Sequence, residues 1–206
     1  MEYKLKRIGR ELLYGGSALD FYKDKMELPS GNTEDWEFVH HRRGGGACVV
    51  PVREDGTILL VKQYRPCIGR ETLELPAGAR VDPLEDSAVT ALRELEEETG
   101  YTCEKPVFLT RILTAVSWCD ESTDIYLADP AVPQGGQSLD EAEEIGLAAL
   151  PLKELCRRIR TGELQDAKTV AGILAYAAYK AGIGGETAAE TGTGTGTGTG
   201  SPQGQQ

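Results

Sequence analysis

The chain has no run of eighteen or more apolar residues, and Met1-Glu2-Tyr3-Lys4-Leu5-Lys6 lacks the apolar centre of a secretory signal. No membrane partner is therefore expected, and a cytoplasmic location is. A C-x-x-C pair is also missing. The five cysteines, Cys48, Cys67, Cys103, Cys119 and Cys156, are odd in number and scattered, which speaks against a disulfide framework or a cysteine-rich zinc site and for thiols in a reducing compartment. Positive charge is in deficit. Against 33 acidic residues stand 22 basic ones, for a net charge of −11, so a nucleic-acid backbone is not an expected partner. A small polyanion remains admissible where arginines or a metal neutralise it locally. Histidine is scarce too. His40 and His41 are adjacent and would diverge on a strand, so they read as structural or surface groups and not as a metal site.

What is present suggests one domain with appendages. Residues 1–45 read as extended pieces separated by turn signals at Gly15-Gly16 and Pro29-Ser30-Gly31-Asn32, an N-terminal β region. Residues 46–184 read as the main αβ body. Ala47 to Val52 and Thr57 to Val61 are expected strands joined as a hairpin through Glu54-Asp55-Gly56. Val107 to Ala115 and Thr123 to Ala128 are further strands, and Leu152 to Arg160 and Lys168 to Ala181 helices. Strands and helices alternate without a regular βαβ repeat, which points to an α/β fold of the mixed-sheet α/β/α sandwich type. In residues 185–206, Thr191 to Gly200 alternate Thr and Gly and Ser201 to Gln206 continue the polar bias, the composition of a disordered tail.

The chemistry concentrates in one helix. Asp82 is an expected N-cap, with Pro83 at the first helical position and Glu85 three residues after the cap, and Gly100 is an expected stop. On a helical wheel Ala88, Ala91, Leu92 and Leu95, with Val89 beside them, share one face, while Glu94, Glu97 and Glu98 gather on the other within an arc of about 100°. Glu96 points elsewhere, toward solvent. Like charges at these spacings repel by a few tenths of a kcal/mol per pair, roughly, unless a cation uses them. Carboxylates so arranged suit Mg²⁺ or Mn²⁺, which take oxygen ligands and keep waters that substrate phosphates displace. A solvated acidic face is the alternative, and the neighbouring residues decide against it.

Those neighbours are Leu73-Glu74-Leu75-Pro76-Ala77-Gly78 before the helix and Arg93 within it. Here the chain resembles the Nudix hydrolase family, whose box is G-x5-E-x7-R-E-U-x-E-E-x-G-U with U apolar or aromatic. The matching positions are Gly78, Glu85, Arg93, Glu94, Leu95, Glu97, Glu98, Gly100 and Tyr101. Six residues, not five, separate Gly78 from Glu85, so the departure falls in the loop and leaves the helix in register. The resemblance implies a Nudix-like fold, with Glu94 and Glu98 as principal metal ligands, Glu97 as a further ligand, and the Ala77 carbonyl completing the set. Arg93 would orient a glutamate. Glu85 is either a box acid or only a capping residue.

Outside the box, Val61-Lys62-Gln63-Tyr64-Arg65-Pro66, Gly69 to Gly78, and Gly162 to Thr169 resemble the ADP-ribose pyrophosphatase branch. That likeness spans about residues 5 to 180. It implies a homodimer joined through the N-terminal sheet, with an aromatic of that region stacking on a nucleobase; Trp36 is the candidate, unless it only packs in that sheet. Arg65 would contact the diphosphate, since a guanidinium fork suits its oxygens, a surface salt bridge being the alternative. Glu74 either contacts substrate or metal-bound water, or is structural. The general base would come from the acidic loop around residues 140–145, Glu141 first and Glu143 second. ADP-ribose enzymes of this kind usually carry a proline about fifteen residues past the box, and Ala115-Val116-Ser117-Trp118 has none. The expected activity is Mg²⁺-dependent hydrolysis of a small-molecule nucleoside diphosphate, ADP-ribose to AMP and ribose 5-phosphate. Its rivals are the same chemistry on GDP-mannose or a dinucleotide, and a non-catalytic module that senses ADP-ribose.

Overall fold

The computed structural model describes residues 5–139 and 144–183. In chain order the elements are β1 (Lys6–Gly15), β2 (Leu19–Glu27), β3 (Thr33–His41), β4 (Gly45–Pro51), β5 (Thr57–Arg65), β6 (Arg70–Glu74), β7 (Ala77–Ala79), α1 (Ser87–Thr99), β8 (Tyr101–Thr102), β9 (Val107–Leu113), β10 (Ser122–Ala128), β11 (Val132–Pro133), β12 (Ile145–Pro151), α2 (Leu152–Arg160) and α3 (Ala167–Lys180). A sheet of order β7-β4-β10-β9 carries the parallel pair β4/β10, and a second sheet of order β12-β5-β6 is antiparallel. This is the mixed α/β architecture expected.

Strand β4 is buried along its whole length, which explains its unbroken apolar run: both faces of this sheet are covered. Cys48, Val50 and Val52 join Leu75, Ile125, Leu155 and Ile173 in one core. The alternate residues Ala47 and Val49 join Ala91 and Leu95 of α1 in another. Helices α1 and α3 thus occupy opposite faces. Helix α3 comes so close that a Cβ on Gly172 would lie 2.6 Å from Leu75 Cδ1.

Strands β1, β2 and β3 form a separate antiparallel sheet. Arg10 lies 4.7 Å from the ring centres of both Tyr22 and Phe38 and forms an ion pair with Asp24. Val39 N–H donates to the Trp118 carbonyl at 2.7 Å, and His40 Nδ1 lies 2.6 Å from Asp120 Oδ2. The two histidines therefore hold structural positions: His41 Nδ1 accepts from Gly45 N–H.

Three expectations fail locally. Strands β4 and β5 do not form a hairpin; after the single bridge Val52↔Ile58 they part into different sheets. Helix α1 starts at Ser87, capped by Asp86, whose side chain accepts from Ala88 N–H at 3.0 Å. Asp82 instead closes a turn, accepting from Leu84 N–H at 2.7 Å, and Glu85 accepts from Val81 N–H and Thr90 Oγ1, so Glu85 is not the third residue of a capping box. The extra residue relative to the family box sits in this loop, where Leu84 is exposed. Val89 does not join the packed face and is 54% exposed. The Thr-Gly tail falls in residues 184–206, outside the described residues. Among the described residues, no helix is long and apolar enough to cross a membrane.

The register of α1 is tested by comparing two truncations by urea denaturation. Leu95 is fully buried, so Leu95→Ala should cost about 2–5 kcal/mol of stability. Val89→Ala should change it by less than about 0.5 kcal/mol.

Candidate active site

Helix α1 buries Glu94 and Glu98, one turn apart, on the side facing β7. Carboxylates are costly to bury unless something compensates them, and part of the compensation comes from β7. Ala77 N–H donates to Glu98 Oε2 at 3.0 Å. A Cβ at Gly78 would lie 2.0 Å from Glu94 Oε1, so only glycine admits that carboxylate against the strand. Arg93 serves three oxygens: its Nη1 is 2.8 Å from both Glu94 Oε1 and Glu97 Oε2, and its Nη2 donates to the Ala79 carbonyl at 3.0 Å. Glu97 is 42% exposed, and Glu96 faces solvent. The helix ends at Gly100, φ 72°, whose N–H donates to the Glu96 carbonyl.

The donor set fits a hard divalent cation: carboxylates of Glu94 and Glu98 with main chain of β7 packed directly against them. Among the described residues no three Asp, Glu, His or Cys side chains converge as a ready-made metal cluster. An ion here would take much of its shell from carbonyl, water and substrate oxygens, as Mg²⁺ does.

Beside β7 lies a cavity of about 670 Å³, within the range of small-molecule sites. Ala77, Gly78 and Ala79 line it, and they also meet Glu98, Glu94 and Arg93 of α1 respectively. Facing them are Arg65, Arg70 and Glu74 from β5 and β6, and Lys168 from the start of α3. Glu121 and Thr123 line it as well. A polyanion entering this space meets three cations beside two backed carboxylates.

Glu74 organises that wall. Its side chain is only 3% exposed. Oε1 accepts from Arg65 Nε at 2.7 Å and Thr72 Oγ1 at 2.5 Å, and Oε2 accepts from Arg65 Nη2 at 2.6 Å and from Lys168 Nζ. Burial pushes its pKa up, but Arg65, Lys168 and Thr72 outweigh burial and hold it at about 2. The Glu74 hydrogen bond leads in raising Arg65, and Asp166 and Glu74 overcome the desolvation that would lower Lys168. With both oxygens engaged by protein donors, Glu74 acts on the cavity through the cations it holds.

The site therefore gathers Arg65, Glu74, Ala77, Arg93, Glu94, Glu97 and Glu98 in one region. Trp36, 44% exposed on β3, does not line the cavity of its own chain. Glu141 and Glu143 lie outside the described residues. Their described neighbours are tied to the last turn of α1: Ser138 N–H donates to the Glu97 carbonyl, and Gln137 Nε2 donates to the carbonyls of Glu98 and Ile145. Sequence reasoning missed Lys168, Thr72 and Asp166. They fall within Gly69 to Gly78 and Gly162 to Thr169, whose family likeness singles out no one residue; Lys168 meets Glu74 across 94 residues.

A family model described as NUDIX domain matches residues 42–172. The chain is 36% identical over 165 residues to an ADP-ribose pyrophosphatase of Bacillus subtilis, covering 80% of this chain and 88% of that protein. It is also 36% identical over 169 residues to the methanol dehydrogenase activator of Bacillus methanolicus, covering 82% and 90%. Among solved structures, an ADP compounds hydrolase superposes with a TM-score of 0.75 at 21% identity, covering 88% of this chain and 96% of that one.

The depressed pKa of Glu74 carries a sign. The folded value, about 2, lies below the ordinary 4.5, so its stabilisation is complete above pH 4.5 and is lost as pH falls toward 2. Glu74→Gln should be destabilising at pH 7, and its deficit relative to wild type should shrink steadily between pH 4.5 and 2, measured by urea denaturation at each pH.

Proposed function

The chain belongs to the NUDIX domain family, and on that premise we propose that it is a pyrophosphohydrolase that cleaves ADP-ribose to AMP and ribose 5-phosphate. The observation that carries this reading is the cavity lined by Arg65, Arg70, Lys168 and β7, with Glu94 and Glu98 packed against that strand. The identity with an ADP-ribose pyrophosphatase over most of both chains supports the choice of substrate.

Mg²⁺, or Mn²⁺ in its place, would be held by Glu94, Glu98, Glu97 and the Ala77 carbonyl, and would polarise the phosphoryl oxygens and make a bound water more acidic. Arg65 presents its fork to the diphosphate oxygens and neutralises charge that develops there. Arg93 fixes Glu97 and Glu94 relative to the Ala79 carbonyl. The α1 acids are engaged as ligands, so a carboxylate of the 140–145 segment, Glu141 or Glu143, takes the proton from the attacking water as its oxygen bonds to phosphorus. The anchoring of Gln137 and Ser138 to the end of α1 supports drawing the base from that segment. The P–O bond of the bridging oxygen then breaks, leaving two phosphate monoesters.

The active species in this reading is a homodimer in a reducing cytoplasm. Exposed Leu12, Tyr14 and Leu19 on the N-terminal sheet support a second copy there, from which Trp36 reaches the nucleobase. Five free thiols support the compartment.

Purified protein is assayed with Mg²⁺ on ADP-ribose, GDP-mannose and a dinucleotide, following phosphate after phosphatase coupling. ADP-ribose should be turned over fastest, and Glu98→Gln should lower kcat at least about 100-fold with the circular dichroism unchanged. Preference for another compound would reject the substrate and keep the chemistry. Binding of ADP-ribose without turnover of any compound would make the chain a sensor. For the base, Glu141→Gln and Glu143→Gln are compared: one of them should lose about 10²- to 10⁴-fold in kcat, with metal affinity retained.

A further inference from the structure

In the structure Arg65 is not free to meet a diphosphate. Its fork is closed on Glu74, Nε to Oε1 at 2.7 Å and Nη2 to Oε2 at 2.6 Å. A buried carboxylate that loses its only cation becomes an uncompensated charge, so an arginine paired alone with Glu74 would be locked in place. Glu74 is not so paired. Each of its oxygens has a second donor: Thr72 Oγ1 on Oε1 at 2.5 Å, and Lys168 Nζ on Oε2. If Arg65 departs, neither oxygen is orphaned and one positive charge remains.

The two reserve partners are held more firmly than Arg65. The Lys168 side chain is 17% exposed against 37% for Arg65, and its Nζ is also 3.0 Å from Asp166 Oδ2. Asp166 is in turn fixed as the cap of α3, accepting from Thr169 N–H and Thr169 Oγ1. The second negative charge beside Lys168 is thus satisfied by a helix N-terminus, which leaves Lys168 to neutralise Glu74.

We propose that Lys168, assisted by Thr72, is a positioning residue: it keeps Glu74 satisfied so that Arg65 exchanges from Glu74 to the diphosphate when substrate enters. The proposal rests on the reading of Arg65 as the diphosphate ligand. Lys168 makes no contact with the reacting atoms in this scheme. Its removal strengthens the hold of Glu74 on Arg65, and the penalty appears as weaker substrate binding with the chemical step little changed.

The test is a double-mutant cycle on ADP-ribose hydrolysis, with the Arg65 Nε–H resonance followed by NMR as inorganic pyrophosphate is added. Lys168→Met should raise KM about tenfold with kcat within about threefold, and Thr72→Val should raise KM about threefold. Adding Glu74→Gln to either variant should reverse most of the rise in KM, because the carboxylate that retains Arg65 is gone. The Arg65 resonance should shift with pyrophosphate in wild type and in both rescued variants, and much less in Lys168→Met. A raised KM that Glu74→Gln does not rescue overturns the proposal, as does an unchanged KM in Lys168→Met. Thr72→Val carries the same decision should Lys168→Met not fold. An Arg65 resonance that ignores pyrophosphate in wild type refutes the underlying assignment of Arg65, and the proposal with it. A shift in wild type without rescue refutes the role of Lys168 alone.

Discussion

Two carboxylates of α1, Glu94 and Glu98, are buried where that helix meets β7, and much else in the molecule is arranged around keeping them there. Helices ordinarily turn such groups to water, because desolvating a carboxylate costs more than packing returns. Here the opposing strand carries glycine at position 78, leaving room for one carboxylate, and offers the Ala77 amide to the other. Arg93 adds a cation that reaches Glu94, Glu97 and the Ala79 carbonyl of the strand. The apolar contacts of Leu95 and Ala91 with Ala47 and Val49 supply the adhesion that holds this polar seam closed.

Another buried carboxylate, Glu74, lies on the wall of the cavity. It carries no free oxygen and gathers two cations and a hydroxyl around itself. One wall of the cavity is thus β7, against which the compensated acids of α1 pack, and the other carries positive charge already assembled. That positive wall arises in a chain whose net charge is −11. Long-range attraction from the whole protein does not draw a polyanion in; local pairing does.

The site was legible where its chemistry lies in one short stretch. The grouping of Arg93, Glu94, Glu97 and Glu98 could be read because their spacing on one helix is itself the signal, and α2 could be placed residue for residue from its pattern of apolar positions. The start of α1 was misread because Asp82 and Asp86 offer the same capping chemistry four residues apart; Asp82 was taken up by a local turn. The β4/β5 hairpin was misread because turn residues show where the chain reverses, not which strand it then pairs with. The partners of Glu74 were illegible for a simpler reason: a lysine in an ordinary helix start gives no sign of a carboxylate 94 residues away.

That separation has a consequence in time. A chain made from its N-terminus has the acidic helix complete while the parallel partner of β4 and the lysine of α3 are still unmade. Contacts between such distant segments form slowly, after the entropy of closing long loops has been overcome. The cavity's cationic wall needs the start of α3 held beside the end of β6, with Leu75 N–H on Thr169 Oγ1 next to the ion pair. The cationic wall is therefore completed late, and a nascent or truncated chain lacking α3 carries the acids of α1 without Lys168 beside Glu74.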